Sequence, residues 1–176
     1  MKLKKRLTLS LLVAGAIVLH IVEAMLPTFL VIPGAKLGLA NIITLFVLLY
    51  FGFKSAFLVI TLRIFLSSLL IGTFFSISFF LSLTGGLLSL LVMGFAYYFY
   101  SHKFSIIGIS VLGAAFHNFG QVSMASVIID NWRLILYLPY LLLLSLPTGV
   151  FVGLVVIKLS NYLEFDLVKK QKLEGN

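Results

Sequence analysis

Residues 1–27, MKLKKRLTLSLLVAGAIVLHIVEAMLP, contain the pattern that decides the fold of this chain. Basic residues near the start are followed by an apolar run of about 20 residues, which ends before Pro27. At a rise of about 1.5 Å per residue, a helix of that length crosses the hydrocarbon core of a bilayer. A secretory leader has a shorter apolar region of roughly 7–15 residues and a small-residue cleavage site. We therefore expect a first transmembrane helix that is not removed.

The rest of the chain repeats apolar runs with basic ends. Of its 176 residues, 61% are hydrophobic and 10% are charged, and the mean hydropathy is +1.19. Soluble domains are only about half apolar, so this composition predicts an all-α integral membrane protein. Residues 1–162 are expected to form one six-helix transmembrane domain, and residues 163–176 a basic cytoplasmic tail. The six spans are predicted at about residues 7–26, 38–53, 55–73, 79–100, 104–129 and 133–160.

The basic residues predict the orientation of these spans. With six spans, both termini lie on one side of the membrane, and that side collects ten basic residues against two, Lys36 and Arg133, on the other. Cytoplasmic loops carry the excess of Lys and Arg, so both termini are expected in the cytoplasm of a multi-pass protein of the cell membrane. Anionic lipid explains the net charge of +8, and no nucleic-acid partner is expected. The ten residues are Lys2, Lys4, Lys5, Arg6, Lys54, Lys103, Lys158, Lys169, Lys170 and Lys172.

Several enzyme classes lack their motifs in this sequence. There is no cysteine for a disulfide, a thiolate metal site or a nucleophile. There is also no glycine-rich phosphate loop followed by Lys-Ser/Thr and no G-x-S-x-G serine elbow. A prenyl-transfer enzyme would need paired aspartate-rich clusters for magnesium, whereas Asp130 and Asp166 lie 36 residues apart. We expect a chain without catalytic residues, cofactor or enzyme activity of its own.

Polar residues inside the apolar segments are the candidates for binding, because burying them in a membrane is costly unless they are paired. His117, Asn118 and Gln121 fall within residues 113–121, GAAFHNFGQ, and His117 and Gln121 are one helical turn apart. They form either a ligand site or an interhelical hydrogen-bond cluster worth about 1 kcal/mol per bond. Arg63, midway along the third span, is expected either to bind an anion or to have a structural role.

His20 and Glu23 lie three residues apart, on one face near the external end of the first span. Glu23 has two interpretations: it neutralises Arg63 or Lys36, or it contacts a polar ligand directly. A metal pair completed by His117 would require three or four nitrogen or oxygen ligands. No H-x-x-x-H or H-E-x-x-H spacing supports such a site, so no metal is expected.

Residues 32–46, IPGAKLGLANIITLF, place a lysine and an asparagine at the start of the second span. Pro33 and Gly34 are expected to shape a loop. Lys36, together with the N–H groups at the helix start, would make a positive spot that suits an anionic or carbonyl-bearing ligand. Asn41 would point inward, one turn deeper. The predicted substrate-binding set is Glu23, Lys36, Asn41, Arg63, His117, Asn118 and Gln121.

Three pairs of small residues, each four positions apart, mark surfaces where helices can approach closely: Ser10 and Ala14, Ser82 and Gly86, Gly149 and Gly153. Such pairs allow backbones to pack within a membrane bundle. The face of Ser10 and Ala14 has a second interpretation, in which it docks a separate membrane subunit.

Three stretches resemble a known family: PGAKLGLANIITLF at 33–46, LRIFLSSLLIGTFFSISFFLSLTGGLLSLLVMG at 62–94 and GISVLGAAFHNFGQ at 108–121. PGxKLGLAN and G-A-x-x-H-N-x-G-Q are the specific motifs. They resemble the Gx transporters, a family also labelled heptaprenyl diphosphate synthase component I, and the resemblance covers about residues 7–160. That family is similar to the substrate-binding S components of energy-coupling factor (ECF) transporters.

The resemblance implies six helices, cytoplasmic termini and capture of a small vitamin- or cofactor-like molecule near the external face. It implies as partners a transmembrane coupling subunit and two ATPase subunits. It further implies that PTFLVIPGAK, residues 27–36, is a gating loop shaped by Pro27, Pro33 and Gly34, and that Ser10 and Ala14 contact the coupling subunit. The family label also suggests an alternative, an accessory membrane subunit in isoprenoid or quinone metabolism.

Overall fold

The structure is a computed structural model that describes residues 2–25, 38–100 and 103–174, with side chains described only within residues 3–162. Its described part is helical and contains no strand. In chain order the elements are α1 (Lys2–Met25), α2 (Asn41–Phe51), α3 (Phe53–Ile71), α4 (Ile77–Tyr100), α5 (Ile106–Ile128), a short 3-10 helix (Trp132–Tyr137) and α6 (Leu138–Glu174).

Five of the described segments are long and apolar enough to cross a membrane. They lie in α1, α3, α4, α5 and the last helix, whose apolar part covers Trp132–Tyr162. The chain is therefore a multi-pass membrane protein. The second predicted span, about 38–53, contains only the 11-residue α2, which at 1.5 Å per residue covers about half of the hydrocarbon core. The count of six spans and the sides of the termini remain predictions.

Glycine and serine set two of the helix boundaries. Gly52 separates α2 from α3 and has φ +81°, a conformation that is strained for residues with a side chain. The chain therefore turns from one helix into the next at a single residue. Ser105 caps α5, since its hydroxyl accepts a hydrogen bond from the Gly108 N–H at 3.1 Å.

Glycines bring α4, α5 and α6 close together. A Cβ atom on Gly149 would lie 2.5 Å from the Val111 Cα, and one on Gly153 would lie 2.8 Å from the Ile107 Cα. A Cβ on Gly120 would lie 2.9 Å from the Gly85 Cα. Only glycine leaves room for these backbone contacts, so the pair in α6 serves packing within the bundle.

Antiparallel packing of α3 and α4 sets the depth of their residues relative to each other. A Cβ on Gly94 would meet the Phe53 ring, and a Cβ on Gly86 would meet Ile60 and Ile64. Two residues, one from each helix, therefore lie side by side when their numbers sum to about 146–150. This register brings the middle of α3 against Gly86.

The predicted border between domain and tail, after residue 162, lies inside a continuous helix. The backbone of α6 runs from Leu138 to Glu174, through Pro147 and past the last apolar turn. Residues 163–174 therefore extend α6, and their side chains lie outside the described part of the chain.

Candidate functional site

The start of α2 lies at the depth of the middle of α5. His117 is eleven residues after Ile106 and eleven before Ile128, the two ends of α5. A Cβ on Gly38, which precedes α2, would lie only 3.3 Å from the His117 Cδ2 atom. The first turn of α2 is therefore inside the bundle and not at its end, and so are the backbone N–H groups of Gly38 and Leu39, which lead into it.

Glu23 of α1 binds those N–H groups. Its Oε1 atom accepts hydrogen bonds from the backbone N–H of Gly38 and, at 3.1 Å, from that of Leu39. The side chain is buried, with 6% of its surface exposed. A carboxylate is favoured at this place because a helix N-terminus carries partial positive charge. Glu23 thus joins the end of α1 to the start of α2.

Gly38 makes this contact possible through its backbone conformation. Its φ of +87° is adopted readily only by glycine, and its carbonyl accepts the first hydrogen bond of α2 from the Asn41 N–H at 2.9 Å. A side chain here would also press on Asn41 and His117. Gly38 therefore lets α1, α2 and α5 meet at one point.

Asn41 connects α2 to α4. Its buried Nδ2 atom donates a hydrogen bond to the Ser89 Oγ at 3.3 Å. Its Oδ1 atom has no hydrogen-bond partner within the described part of the chain. A Cβ on Gly113 would lie 3.2 Å from the same Ser89 oxygen, so α5 is adjacent to this pair.

His117 and Gln121 form the α5 side of the group. The Nε2 atoms of the two buried side chains are 2.8 Å apart, and with this amide orientation the imidazole accepts the hydrogen bond from the amide. Gly85 of α4 lies against them, because a Cβ there would be 2.9 Å from the Gln121 Cγ. Glu23, Asn41, Ser89, His117 and Gln121 are from here on called the polar layer.

Asn118 is not part of the polar layer, although it follows His117 directly. Its Nδ2 atom donates a 2.8 Å hydrogen bond to the Leu141 carbonyl oxygen in α6. Adjacent residues on a helix point about 100° apart, which explains the different partner. Asn118 therefore makes an interhelical contact with α6 and does not point toward the polar layer as His117 does.

Arg63 lies beside the polar layer, in the middle of α3. Only 2% of its surface is exposed, and a Cβ on Gly86 would lie 3.5 Å from its terminal Nη2 atom. Glu23 acts on it electrostatically, but no ion pair joins Arg63 to a carboxylate of the described residues, and its Nε has no hydrogen-bond partner there. Glu23 and Arg63 thus interact as opposite charges, and the predicted partner Lys36 lies outside the described residues.

Four predicted residues lie outside the described part of the chain: Lys36 of the binding set, and Pro27, Pro33 and Gly34 of the gating loop. His20 is buried one turn before Glu23. Within residues 2–25, 38–100 and 103–174, no group of three or more His, Asp or Glu side chains is arranged to hold a metal ion.

Ser10 and Ala14 lie on the outer face of α1, away from the bundle. The Ser10 hydroxyl donates to the Arg6 carbonyl oxygen at 3.0 Å within the helix. Leu7, Leu11 and Val18 are exposed on α1 as well. This face contacts lipid or another membrane chain.

Sequence reasoning missed Gly85 and Ser89 as parts of the site. The Gly85-Gly86 pair inside an apolar helix was the available signal, because adjacent glycines weaken a helix and usually have a packing reason. Ser89 lies one turn beyond Gly85, and its role became visible only through the hydrogen bond from Asn41.

Comparison with known proteins supports a family assignment. No curated protein matches the chain, and no solved structure does so either. The family model described as heptaprenyl diphosphate synthase component I matches residues 12–159. The match includes every residue of the polar layer and Arg63. Because it spans most of the 176 residues, the chain belongs to the family described as heptaprenyl diphosphate synthase component I.

Proposed function

We propose that this chain is the membrane-embedded substrate-binding (S) component of an ECF-type importer. It captures a small polar or amphipathic molecule, of vitamin or cofactor type, at the extracellular side of the cell membrane. The observation that carries the proposal is the polar layer, in which side chains from α1, α2, α4 and α5 meet at mid-depth. Membrane transporters hold substrates at such places, where a helix begins inside the bilayer.

Transport in this proposal depends on partners. A transmembrane coupling subunit and two ATPase subunits supply the energy, because the sequence has no phosphate-binding loop of its own. The exposed Ser10 and Ala14 face of α1 is where the coupling subunit docks. Six spans with both termini in the cytoplasm, and a gating loop formed by Pro27, Pro33 and Gly34 together with Lys36, belong to the same proposal.

A second candidate function follows from the family description, which names a component of heptaprenyl diphosphate synthase. In this alternative the chain is an accessory membrane subunit in isoprenoid or quinone metabolism and binds a soluble prenyl synthase. We propose a non-catalytic role in both cases. Magnesium-dependent prenyl transfer requires clustered carboxylates, and the aspartates of this chain are separated by 36 residues.

Native mass spectrometry of protein purified gently from its own membrane tests the proposal. The wild type should retain a small molecule, and His117→Ala should lose it, because His117 faces the polar layer. Asn118→Ala is the matched control: it is the next residue, is equally buried and points toward α6. This variant should keep the molecule.

Proteins that purify with the chain separate the two candidates. A coupling subunit and two ATPases support the importer. Co-purification of a soluble prenyl synthase, with no small molecule retained by any variant, would support the accessory subunit and contradict the importer.

A further inference from the structure

Arg63 is a buried cation that the packing of the bundle does not explain. It occupies the middle of α3, and its guanidinium offers five N–H donors. In the part of the chain that the structure describes, its Nε has no hydrogen-bond partner and no carboxylate forms an ion pair with it. Glu23 acts on it electrostatically, while the Oε1 atom of that carboxylate holds the start of α2.

Burying the Arg63 charge in this way costs the protein folding free energy as long as no anion is bound. A charge at mid-membrane loses its hydration and needs an acceptor to compensate. A methionine or leucine at this position would fill a similar volume without that cost. The presence of arginine is therefore best explained by an anionic group that reaches it during function.

The α4 side of Arg63 carries a second buried polar group. Gly86 lets the α4 backbone approach α3 closely, since a Cβ there would lie 3.5 Å from the Arg63 Nη2 atom and 3.1 Å from the Ile60 Cδ1 atom. Ser82 lies one turn from Gly86 on the same face of α4. It is buried, with 3% of its surface exposed, and its hydroxyl has no hydrogen-bond partner among the described residues. A cation and a neutral donor thus occupy the same stretch of the α3–α4 contact.

We propose that Arg63 and Ser82 bind an oxyanion of the substrate, a carboxylate or a phosphate. This inference rests on the proposed function and narrows the substrate class to anions. The planar guanidinium matches the oxygens of either group and forms charge-assisted hydrogen bonds with them. The Ser82 hydroxyl donates a further hydrogen bond, and Glu23 stays bound to the α2 N-terminus.

The first test compares thermal stability of the full chain in phosphatidylcholine nanodiscs without added oxyanion. Arg63→Met should raise the unfolding midpoint by about 2–4 °C, because a buried charge without an ion pair among the described residues is removed. Arg133→Met, at an exposed arginine, should leave it unchanged. A midpoint for Arg63→Met below that of the wild type, or a failure to fold, would show that Arg63 is structural and overturn the proposal.

The second test observes the arginine side chains directly. The chain has three arginines, Arg6, Arg63 and Arg133, so their ¹⁵Nε–H resonances can be assigned by single substitutions. Sodium benzoate or inorganic phosphate, at constant ionic strength, should shift the Arg63 resonance saturably. Benzamide, the neutral match of benzoate, should not shift it. No shift with either anion, or an equal shift with benzamide, would overturn the proposal.

Two further arms define the bound group. Ser82→Ala should weaken benzoate or phosphate binding about threefold to tenfold, as expected for one lost hydrogen bond. Ser68→Ala is the control and should not weaken binding, because the Ser68 hydroxyl donates to the Phe65 carbonyl oxygen. Nanodiscs containing phosphatidylglycerol distinguish a lipid headgroup from a free anion. A shift of Arg63 caused by that lipid alone would assign the site to lipid and overturn the assignment to substrate.

Failure of this inference and failure of the proposed function give different results. A neutral molecule retained by wild type and by Arg63→Met alike would overturn the anion assignment and leave the substrate-binding role standing. A saturable shift of Arg63 in a protein that purifies with no small molecule and no ATPase module would support the anion site and contradict the importer.

Discussion

At the residue scale, Glu23 anchors the start of a helix in addition to acting on Arg63 through its charge. The carboxylate was expected to neutralise Arg63 or Lys36, or to contact a ligand. It accepts hydrogen bonds from two backbone N–H groups at the start of α2. Gly38 and Leu39 precede α2, so their N–H groups take no part in its hydrogen bonds, and the buried carboxylate satisfies donors that would otherwise be left without an acceptor.

Glu23→Ala is predicted to lower the free energy of unfolding by about 2–3 kcal/mol, because two buried donors lose their acceptor. Glu23→Gln keeps an acceptor oxygen and loses the charge, so a smaller loss of about 1 kcal/mol is expected. Asp130→Asn, at an exposed acid, serves as control and should change stability by less than about 0.5 kcal/mol. Chemical unfolding in detergent micelles measures all three, and equal stability of the two Glu23 variants would contradict the anchoring role.

His117 and Asn118 differ in their expected effects although they are neighbours in sequence. Asn118→Ala removes the hydrogen bond to the Leu141 carbonyl oxygen and should cost about 0.6–2 kcal/mol of stability, the range for interhelical bonds in membranes. It should leave ligand retention unchanged. Thermal unfolding together with native mass spectrometry checks both parts, and loss of ligand from Asn118→Ala at unchanged stability would contradict the assignment.

At the scale of elements, glycines decide how deep and how close the helices lie. The contact of α5 with α6 depends on Gly149 and Gly153, which lie against backbone atoms that cannot move aside. The contact of α4 with α5 depends on Gly85 and Gly120 in the same way. Because His117 and Gln121 lie against Gly85, this close approach also positions the α5 side of the polar layer.

Gly149→Ala is predicted to destabilise the protein by about 1–3 kcal/mol, the usual effect of overpacking, since its Cβ would lie 2.5 Å from the Val111 Cα. Gly15→Ala is the matched control, because a Cβ there would meet only the Ile43 Cδ1 at 3.7 Å. Its gain in helix propensity should leave stability unchanged or raise it by up to about 1 kcal/mol. Unfolding measurements that rank the two variants in the opposite order would contradict this packing.

At the scale of the whole molecule, the described helices form one membrane bundle with a polar layer inside an apolar exterior. Large apolar side chains such as Leu11, Leu91 and Phe151 are exposed on different helices, as expected for surfaces that contact lipid. The polar layer is enclosed by α1, α2, α4 and α5. The polar side chains thus lie inside and the apolar ones outside, and the substrate proposed above would enter from an end of the bundle or between helices.

The orientation of the bundle can be tested with single cysteines, because the chain contains none. Asn131→Cys and Lys54→Cys place an exposed thiol at opposite ends of the bundle. The excess of basic residues on one side predicts that a membrane-impermeant maleimide labels Asn131→Cys in intact cells and labels Lys54→Cys only after lysis. The reverse pattern would contradict cytoplasmic termini.

Much of the fold could be predicted from local sequence properties. The third, fourth and fifth spans were expected at about 55–73, 79–100 and 104–129, and the structure has them at Phe53–Ile71, Ile77–Tyr100 and Ile106–Ile128. The described polar candidates inside these segments, such as Arg63 and His117, are buried. Hydropathy suffices for these predictions because each helix must satisfy its own backbone hydrogen bonds in lipid.

The sequence by itself determined the membrane class, the positions of the long helices and the small set of polar residues inside them. Only the tertiary structure decided which of these residues meet. In the folded bundle α2 begins at mid-depth, and Glu23 binds the backbone at that point. Asn118 bonds to α6, and Arg63 lies beside Gly86. The physical reason is that hydropathy and propensity act along one segment, whereas partners across helices depend on the depth and rotation of each helix. Glycine contacts in the folded bundle set both.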